Sequence, residues 1–179
     1  MRRLAAAALL ALAAMPARAQ GESAHGPGGP PAADPAACTQ FDWSLLREQA
    51  WFSAGGLAHV ASGGTLGAMP AAILGLEPKD AVPLPFAPSR EPRPGSFSGA
   101  LHLDAPLAPG AYQVTVSNRA WIDLSQDGKT TRPATASTMR PGCPMLAKSV
   151  RFQLGTAPIT IVVSDAASDA IRIAVAPVE

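Results

Sequence analysis

The sequence is poor in histidine, cysteine and aromatic side chains, and these shortages limit the chemistry it can perform. It contains 3 His and 2 Cys, and Phe, Trp and Tyr make up 5% of the chain. Transition-metal sites take most of their ligands from His, Cys and carboxylates. The sequence also lacks a basic run with interleaved aromatics, the footprint of a nucleic-acid binder. We therefore expect no cofactor and no nucleic-acid partner.

No apolar run is long enough to cross a membrane. The longest, from Leu4 to Ala14, has 11 residues, whereas a spanning helix needs about 20. It follows Arg2 and Arg3 and precedes Ala17-Arg18-Ala19, which is the order of a secretory signal peptide and its cleavage site. We predict a signal peptide over residues 1–19, a periplasmic or secreted location and no membrane span.

Composition divides the exported chain into two parts. Residues 20–37 are mostly Gly, Pro and Ala, with almost nothing large to bury, and are predicted to be a disordered leader. Residues 38–179 have the size of one domain. Removing Arg2, Arg3 and Arg18 from the 14 basic residues leaves the 13 acidic residues in slight excess.

Cys38 and Cys143 are too far apart in the sequence for a CxxC redox pair or a zinc knuckle. They are either two free thiols or one disulfide. Because the predicted compartment is oxidising, we predict the disulfide. A bridge that closes a loop of roughly 100 residues stabilises a fold by about 4.7 kcal/mol in the chain-entropy model.

Beyond Gly63 the sequence shows short alternating runs broken by Pro and Gly, the pattern of an antiparallel β-sandwich. One short helix, from an Asp42 cap to about Phe52, is predicted before it. Asp127-Gly128 predicts a hairpin turn, and the prolines before Gly95 predict an edge or a crossover. The predicted strands, about eight in all, lie at 71–76, 81–86, 97–103, 112–116, 122–124, 150–154, 159–163 and 171–175.

Two enzyme classes can be tested against the histidines. The H-x-D sequence of His102 and Asp104 supplies two ligands of an iron site, but its second His would have to be His59. These three residues are the metal-ligand candidates, and we predict no metal site because the ligand count is too low. The candidate nucleophile of a serine hydrolase is Ser98, in the glycine-flanked run 95–99. Such an enzyme needs an acid and a His after its nucleophile, yet the last His of the sequence, His102, follows Ser98 by only four positions.

A binding surface has more support. Trp121 and Asp123 alternate with Ile122 and Leu124, so they share one face of a strand, where a ring beside a carboxylate can hold a sugar or peptide. Arg151 projects outward by the same rule, and these three polar or aromatic residues are the ligand-binding candidates. We favour the alternative, that the helix covers Trp121 and makes it part of the core, because large rings are highly buried on average.

Six runs of the sequence carry a resemblance to known proteins: Trp43–Glu48, Gly110–Ser117, Ala120–Asp123, Gln126–Gly128, Gly142–Pro144 and Lys148–Phe152. Together they resemble a family of small exported proteins of Gram-negative bacteria. Some members of that family carry the name homogentisate 1,2-dioxygenase. Enzymes of that name hold iron with two His and a Glu on a chain more than twice as long, so the resemblance implies export rather than that activity. The strand Gly110–Val116 and the Asp127-Gly128 turn also resemble sugar-binding sandwich modules.

These observations predict an exported, non-catalytic binding or envelope-associated β-sandwich module. Its candidate partners are a carbohydrate, a peptide or another envelope protein. The alternative is a small metal-dependent oxygenase, as the family name would have it.

Overall fold

A computed structural model describes residues 33–179, so the predicted signal peptide and residues 20–32 of the predicted leader lie outside the described residues. The described chain is mostly β-structure. Its elements are, in chain order, a 3-10 helix at Pro35–Thr39, α1 at Leu46–Ser53, β1 at Ala58–Val60, β2 at Gly64–Thr65, β3 at Ala71–Gly75, β4 at Glu77–Pro78, β5 at Phe97–Leu103, β6 at Gly110–Val116, β7 at Trp121–Ser125, β8 at Ala134–Met139, β9 at Lys148–Leu154, β10 at Ile159–Ala166 and β11 at Ala170–Pro177.

The strands form two sheets. The order β1-β3-β11-β6-β9-β8 makes the large sheet, and the order β2-β5-β10-β7, with β4 beside β5, makes the small sheet. Most neighbours are antiparallel, although the short β1 and β2 run parallel to β3 and β5. The predicted all-β sandwich is confirmed, with 11 described strands instead of about eight.

The core lies between the sheets and is largely aliphatic. β6 turns Val114 and Val116 inward, and β9 turns Val150 and Phe152 inward. Because side chains alternate along a strand, the intervening residues lie on the outer faces of the sandwich. These two outer faces carry the candidate sites.

The segment 81–86 contains no strand, which corrects the prediction. Pro83 and Pro85 cannot donate backbone hydrogen bonds to a ladder, so the segment cannot pair as a regular strand. Residues 79–96, hereafter the proline-rich loop, connect β4 to β5, which pair with each other in the small sheet. The loop therefore leaves one sheet and returns to the same sheet.

The predicted hairpin at Asp127-Gly128 is also wrong. Gly128 has a φ of 70° and does turn the chain. However, β7 pairs with β10 in the small sheet, and β8 pairs with β9 in the large sheet. The turn dipeptide specifies a local reversal but not the partner of the strand that follows, and residues 126–133 cross between the sheets.

Helix α1 begins at Leu46, later than predicted, and Leu45 occupies its N-cap position without a side-chain hydrogen bond. Asp42 does not cap it, because its carboxylate accepts a hydrogen bond from Arg140 Nη2 at 3.2 Å. Of the two predicted apolar sides, the side with Leu45 and Phe52 is buried, whereas Leu46 is 70% exposed.

Cys38 and Cys143 form the predicted disulfide, which joins the 3-10 helix to the loop between β8 and β9. Residues that precede Cys38 also contact the domain. The Asp34 backbone N–H donates to Gly142 O at 2.7 Å, and Ala37 is buried. Residues 34–37 are therefore held against the domain, and the predicted disordered leader extends too far toward the bridge.

A second apolar cluster surrounds the disulfide on the outer face of the large sheet. It fixes α1 and the 3-10 helix on that face. The buried members of the cluster are Ala37, Leu45, Phe52, Ala71, Cys143, Leu146 and Ala174.

No helix among residues 33–179 is long and apolar enough to cross a membrane.

Candidate functional site

Strand β7 places Trp121 and Asp123 on the outer face of the small sheet, but that face is covered. Asp123 is only 5% exposed. Ser89 of the proline-rich loop donates its backbone N–H to Asp123 Oδ2 at 3.0 Å and its hydroxyl to Oδ1. The same hydroxyl accepts a hydrogen bond from Trp121 Nε1 at 2.9 Å. The covering element is thus a loop, and not the helix considered from the sequence.

Two cations also contact the Trp121 ring. Lys148 Nζ lies 4.7 Å from the ring centroid, and the Arg90 guanidinium carbon lies 5.5 Å from it. Burial lowers the pKa of Lys148; the Asp123 carboxylate opposes this change, while Arg119 and Arg90 add to it. The ring and the acid are therefore already engaged by the protein's own groups.

A second buried carboxylate holds the other end of the proline-rich loop. Asp165 Oδ1 accepts hydrogen bonds from the Arg93 backbone N–H at 3.1 Å and from Arg93 Nε at 2.7 Å. Asp165 lies at an irregularity of β10 with a φ of 58°. Burial disfavours its ionisation, but the hydrogen bonds and charge of Arg93 outweigh that effect, so the pKa of Asp165 is lowered.

Arg151 lies away from Trp121 and Asp123, on the outer face of the large sheet. Strand register places it directly beside Gln113 of β6. Its guanidinium carbon lies 4.0 Å from the centroid of the Trp43 ring, and its Nε donates to Gln113 Oε1 at 3.4 Å. The three predicted ligand-binding residues therefore do not form one site. Trp121 and Asp123 lie together under the proline-rich loop, whereas Arg151 contacts Trp43 on the other sheet.

A chain of hydrogen bonds links Arg151 to helix α1. Gln113 Nε2 donates to Glu48 Oε1 at 2.9 Å. The same oxygen accepts from Arg47 Nε at 3.1 Å and from Arg47 Nη2 at 2.8 Å. Glu48 and Gln113 are 1% and 3% exposed. Because Glu48 accepts and Arg151 donates, the Gln113 amide has one satisfying orientation, and that orientation fixes the Arg151 side chain.

A small cavity opens beside this chain of hydrogen bonds and is called here the Trp43 cavity. Its volume is about 80 Å³. Arg47 also binds the Glu179 carboxylate at its rim, with Nη1 and Oε1 2.8 Å apart. The Trp43 indole N–H is buried without an acceptor in the described chain. The cavity is lined by Trp43, Ser44, Arg47, Gln113, Arg151 and Glu179.

A wider and more open cavity of about 400 Å³ lies at the loop 126–133. Several of its polar groups are bonded to other groups of the protein. Asp127 accepts backbone hydrogen bonds from Thr130 at 2.7 Å and from Lys129 at 2.8 Å, which lower its pKa together with a hydrogen bond from Ser125. The Gln126 amide bonds to three backbone groups of residues 155 and 157. This cavity is thus shaped by turn chemistry.

The metal-ligand candidates lie apart. His59 is on β1 of the large sheet, and His102 is on β5 of the small sheet, where its Nδ1 lies 3.2 Å from Thr160 Oγ1. Asp104 follows β5 and is exposed. Within residues 33–179, no three His, Cys, Asp or Glu side chains are grouped closely enough to hold a metal ion.

Sequence reasoning missed Trp43 and Gln113 as partners of Arg151, and Arg47 and Glu48 as members of the same hydrogen-bonded chain. One signal was present: Gln113 and Arg151 interrupt apolar strands at outward positions, so a shared face could have been proposed once β6 and β9 were paired. That pairing is not local in the sequence. Comparisons of this chain with family models, with curated proteins and with solved structures found no match, so the site rests on its own geometry.

Proposed function

We propose that the chain is an exported, non-catalytic binding module whose ligand site is the Trp43 cavity. Among the described residues Arg151 has no carboxylate within ion-pair distance, whereas Arg93 has one and Arg47 has two. A guanidinium that is fixed by a ring and an amide but lacks a counter-charge is suited to an external anion or acceptor. This unmatched charge beside a cavity is the observation that carries the proposal.

The contrast with Trp121 supports the choice of site. There the ring N–H, the carboxylate and the adjacent loop satisfy one another. At the Trp43 cavity, the two terminal nitrogens of Arg151 have no acceptor among the described residues. A ligand would add hydrogen bonds at the Trp43 cavity but would have to break them at Trp121.

Export is supported by the secretory pattern of residues 1–19 and by the disulfide, since disulfides persist in oxidising compartments. The non-catalytic part is supported by the separation of His59 from His102. An oxygenase is less well supported, because the described residues do not assemble three ligands.

The test combines location and binding. Fractionation of the producing cell should recover a shortened chain outside the cytoplasm. The purified protein should then be heated with a panel of monosaccharides, short peptides and small carboxylates, with Arg151→Gln as the site variant and Arg172→Gln as its control. At least one compound should raise the melting temperature of the wild type and of Arg172→Gln, but not of Arg151→Gln. Stabilisation that survives Arg151→Gln, or none at all, would contradict the proposed site.

A further inference from the structure

We infer that the Trp43 cavity recognises a single carboxylate at the end of its ligand, bound by the fork of Arg151. The inference rests on the proposed binding function and names the chemical group that the site accepts. Three features of the described residues lead to it: the free donors, the charge balance and the size of the cavity.

The free donors form a planar pair. Arg151 Nε donates to Gln113, and its guanidinium lies over the Trp43 ring. Among residues 33–179 its two terminal nitrogens have no hydrogen-bond acceptor. An arginine fork donates two parallel N–H groups, which match the two oxygens of a carboxylate. Trp43 already stabilises the plane of the guanidinium, so little side-chain freedom remains to be lost on binding.

The charge balance favours one negative charge over two. Arg47 is bound to both Glu48 and Glu179. Two guanidiniums and two carboxylates therefore meet at this cavity, and the positive charge of Arg151 is the one without a direct partner. A carboxylate would pair with Arg151 and, because the four existing charges cancel, would leave the cavity with one excess negative charge. A phosphate or sulfate dianion would bring a second negative charge close to two existing carboxylates, which repel it.

The size of the cavity limits what can enter. Its volume of about 80 Å³ lies well below the roughly 300–1,000 Å³ of pockets that enclose whole small molecules. A bound water needs about 10–15 Å³ of such volume, so there is room for only a few heavy atoms. The group that enters is therefore terminal, and the rest of the ligand lies outside. Glu179 shows that a carboxylate can lie at the rim.

The inference can be tested by titrating the folded domain with sodium acetate and following the indole N–H resonances by two-dimensional NMR. Sodium chloride, inorganic phosphate and sodium sulfate at matched ionic strength serve as comparisons. Trp43→Phe assigns the Trp43 signal. We expect a saturable shift of that signal with acetate alone, with a dissociation constant in the millimolar range. Arg151→Gln should weaken binding at least tenfold, while Arg172→Gln, on the same outer face, should leave it unchanged.

Arg151→Lys keeps the charge but removes the fork, and an intermediate loss of affinity is expected. An equal response to sulfate or phosphate, or full affinity in Arg151→Lys, would overturn the carboxylate assignment. If acetate fails but another compound of the stabilisation panel depends on Arg151, the carboxylate inference alone is wrong. If no compound depends on Arg151, the proposed function fails with it.

Discussion

Each outer face of the sandwich carries a tryptophan beside a charged side chain, but the two pairs have different surroundings. On the small sheet, Trp121 and Asp123 are covered by the proline-rich loop, which Ser89 and Arg93 fasten to two buried carboxylates. On the large sheet, the disulfide and α1 form the cover, and Trp43 and Arg151 remain beside a cavity. The Trp121 N–H and the Asp123 carboxylate have partners within the chain, whereas the Trp43 N–H has none among the described residues.

The difference shows that a tryptophan near charged residues does not by itself indicate a binding site. What distinguishes the two tryptophans is whether the indole N–H has a hydrogen-bond acceptor within the described chain. Trp121 Nε1 has Ser89, and Asp123 has two donors from the same residue. Trp43 Nε1 has no acceptor in the described chain. Hydrogen-bond accounting therefore separates a structural cluster from a candidate site.

The largest expected effect is on the cover of the large sheet. Cys143→Ser should lower the free energy of unfolding by about 2–5 kcal/mol, because the disulfide closes a long loop. Urea unfolding of wild type and variant measures the loss. The wild type, unfolded without reductant, should show no titratable thiol. A titratable thiol, or unchanged stability in the variant, would contradict the role given to the bridge.

The next effect is on the cover of the small sheet. Asp123→Ala removes a buried acceptor of two Ser89 hydrogen bonds and should cost about 2–3 kcal/mol. Asp104→Ala, at an exposed position after β5, is the control and should change stability by less than about 0.5 kcal/mol. A double-mutant cycle with Ser89→Ala isolates the contact between loop and sheet. A coupling energy near zero would mean that the loop does not depend on this carboxylate.

The fold class could be predicted from the sequence, because the alternation of apolar and polar residues is visible within each strand. Segments such as 97–103 and 159–163 alternate with a period of two residues, and this period identifies a strand even when its neighbouring strands in the sheet are unknown. The missed strands β1, β2 and β4 are only two or three residues long and carry no such period. β8 was missed because its run of Ala, Ser and Thr has little contrast between its two sides.

The site was less predictable, because its neighbours are set by pairing between distant segments. Arg151 could be given an outward direction from its own strand, but Trp43 reaches it through the position of α1 on the large sheet. Asp123 was likewise assigned the correct face of β7, yet its burial depends on Ser89, which lies in an irregular loop. Turn residues and prolines predict where a strand is interrupted, and not what the interruption covers.

The pH dependence of the proline-rich loop should follow Asp165. Folding lowers the pKa of the Asp165 carboxyl group. Such a group stabilises the folded protein at pH values above its pKa in the unfolded state, and this stabilisation is lost as the pH falls through its pKa in the folded state. Asp165→Asn suits the positive φ at this position and removes the charge. It should cost about 1 kcal/mol at pH 7 and less as the pH is lowered below roughly 4. Urea unfolding between pH 3 and pH 7 measures both; a difference that does not change with pH would contradict the role of the ionised carboxylate.

The smallest expected effect on stability is at Arg151, and it makes the comparison sharpest. Arg151 has no ion-pair partner among the described residues, and its ring contact is partly exposed, so Arg151→Gln should cost only about 0.5–1 kcal/mol. Arg172→Gln, an outward arginine on β11 of the same sheet, should cost no more than that. Urea unfolding of both variants gives the numbers. A loss above about 2 kcal/mol for Arg151→Gln would mean that the guanidinium supports Trp43 as a structural group, and the two outer faces would then be of the same kind. If Arg151→Gln instead lowers the free energy of unfolding only slightly but abolishes acetate binding, the Arg151 fork serves ligand binding and not folding. Its contribution would then appear only when the cavity is filled.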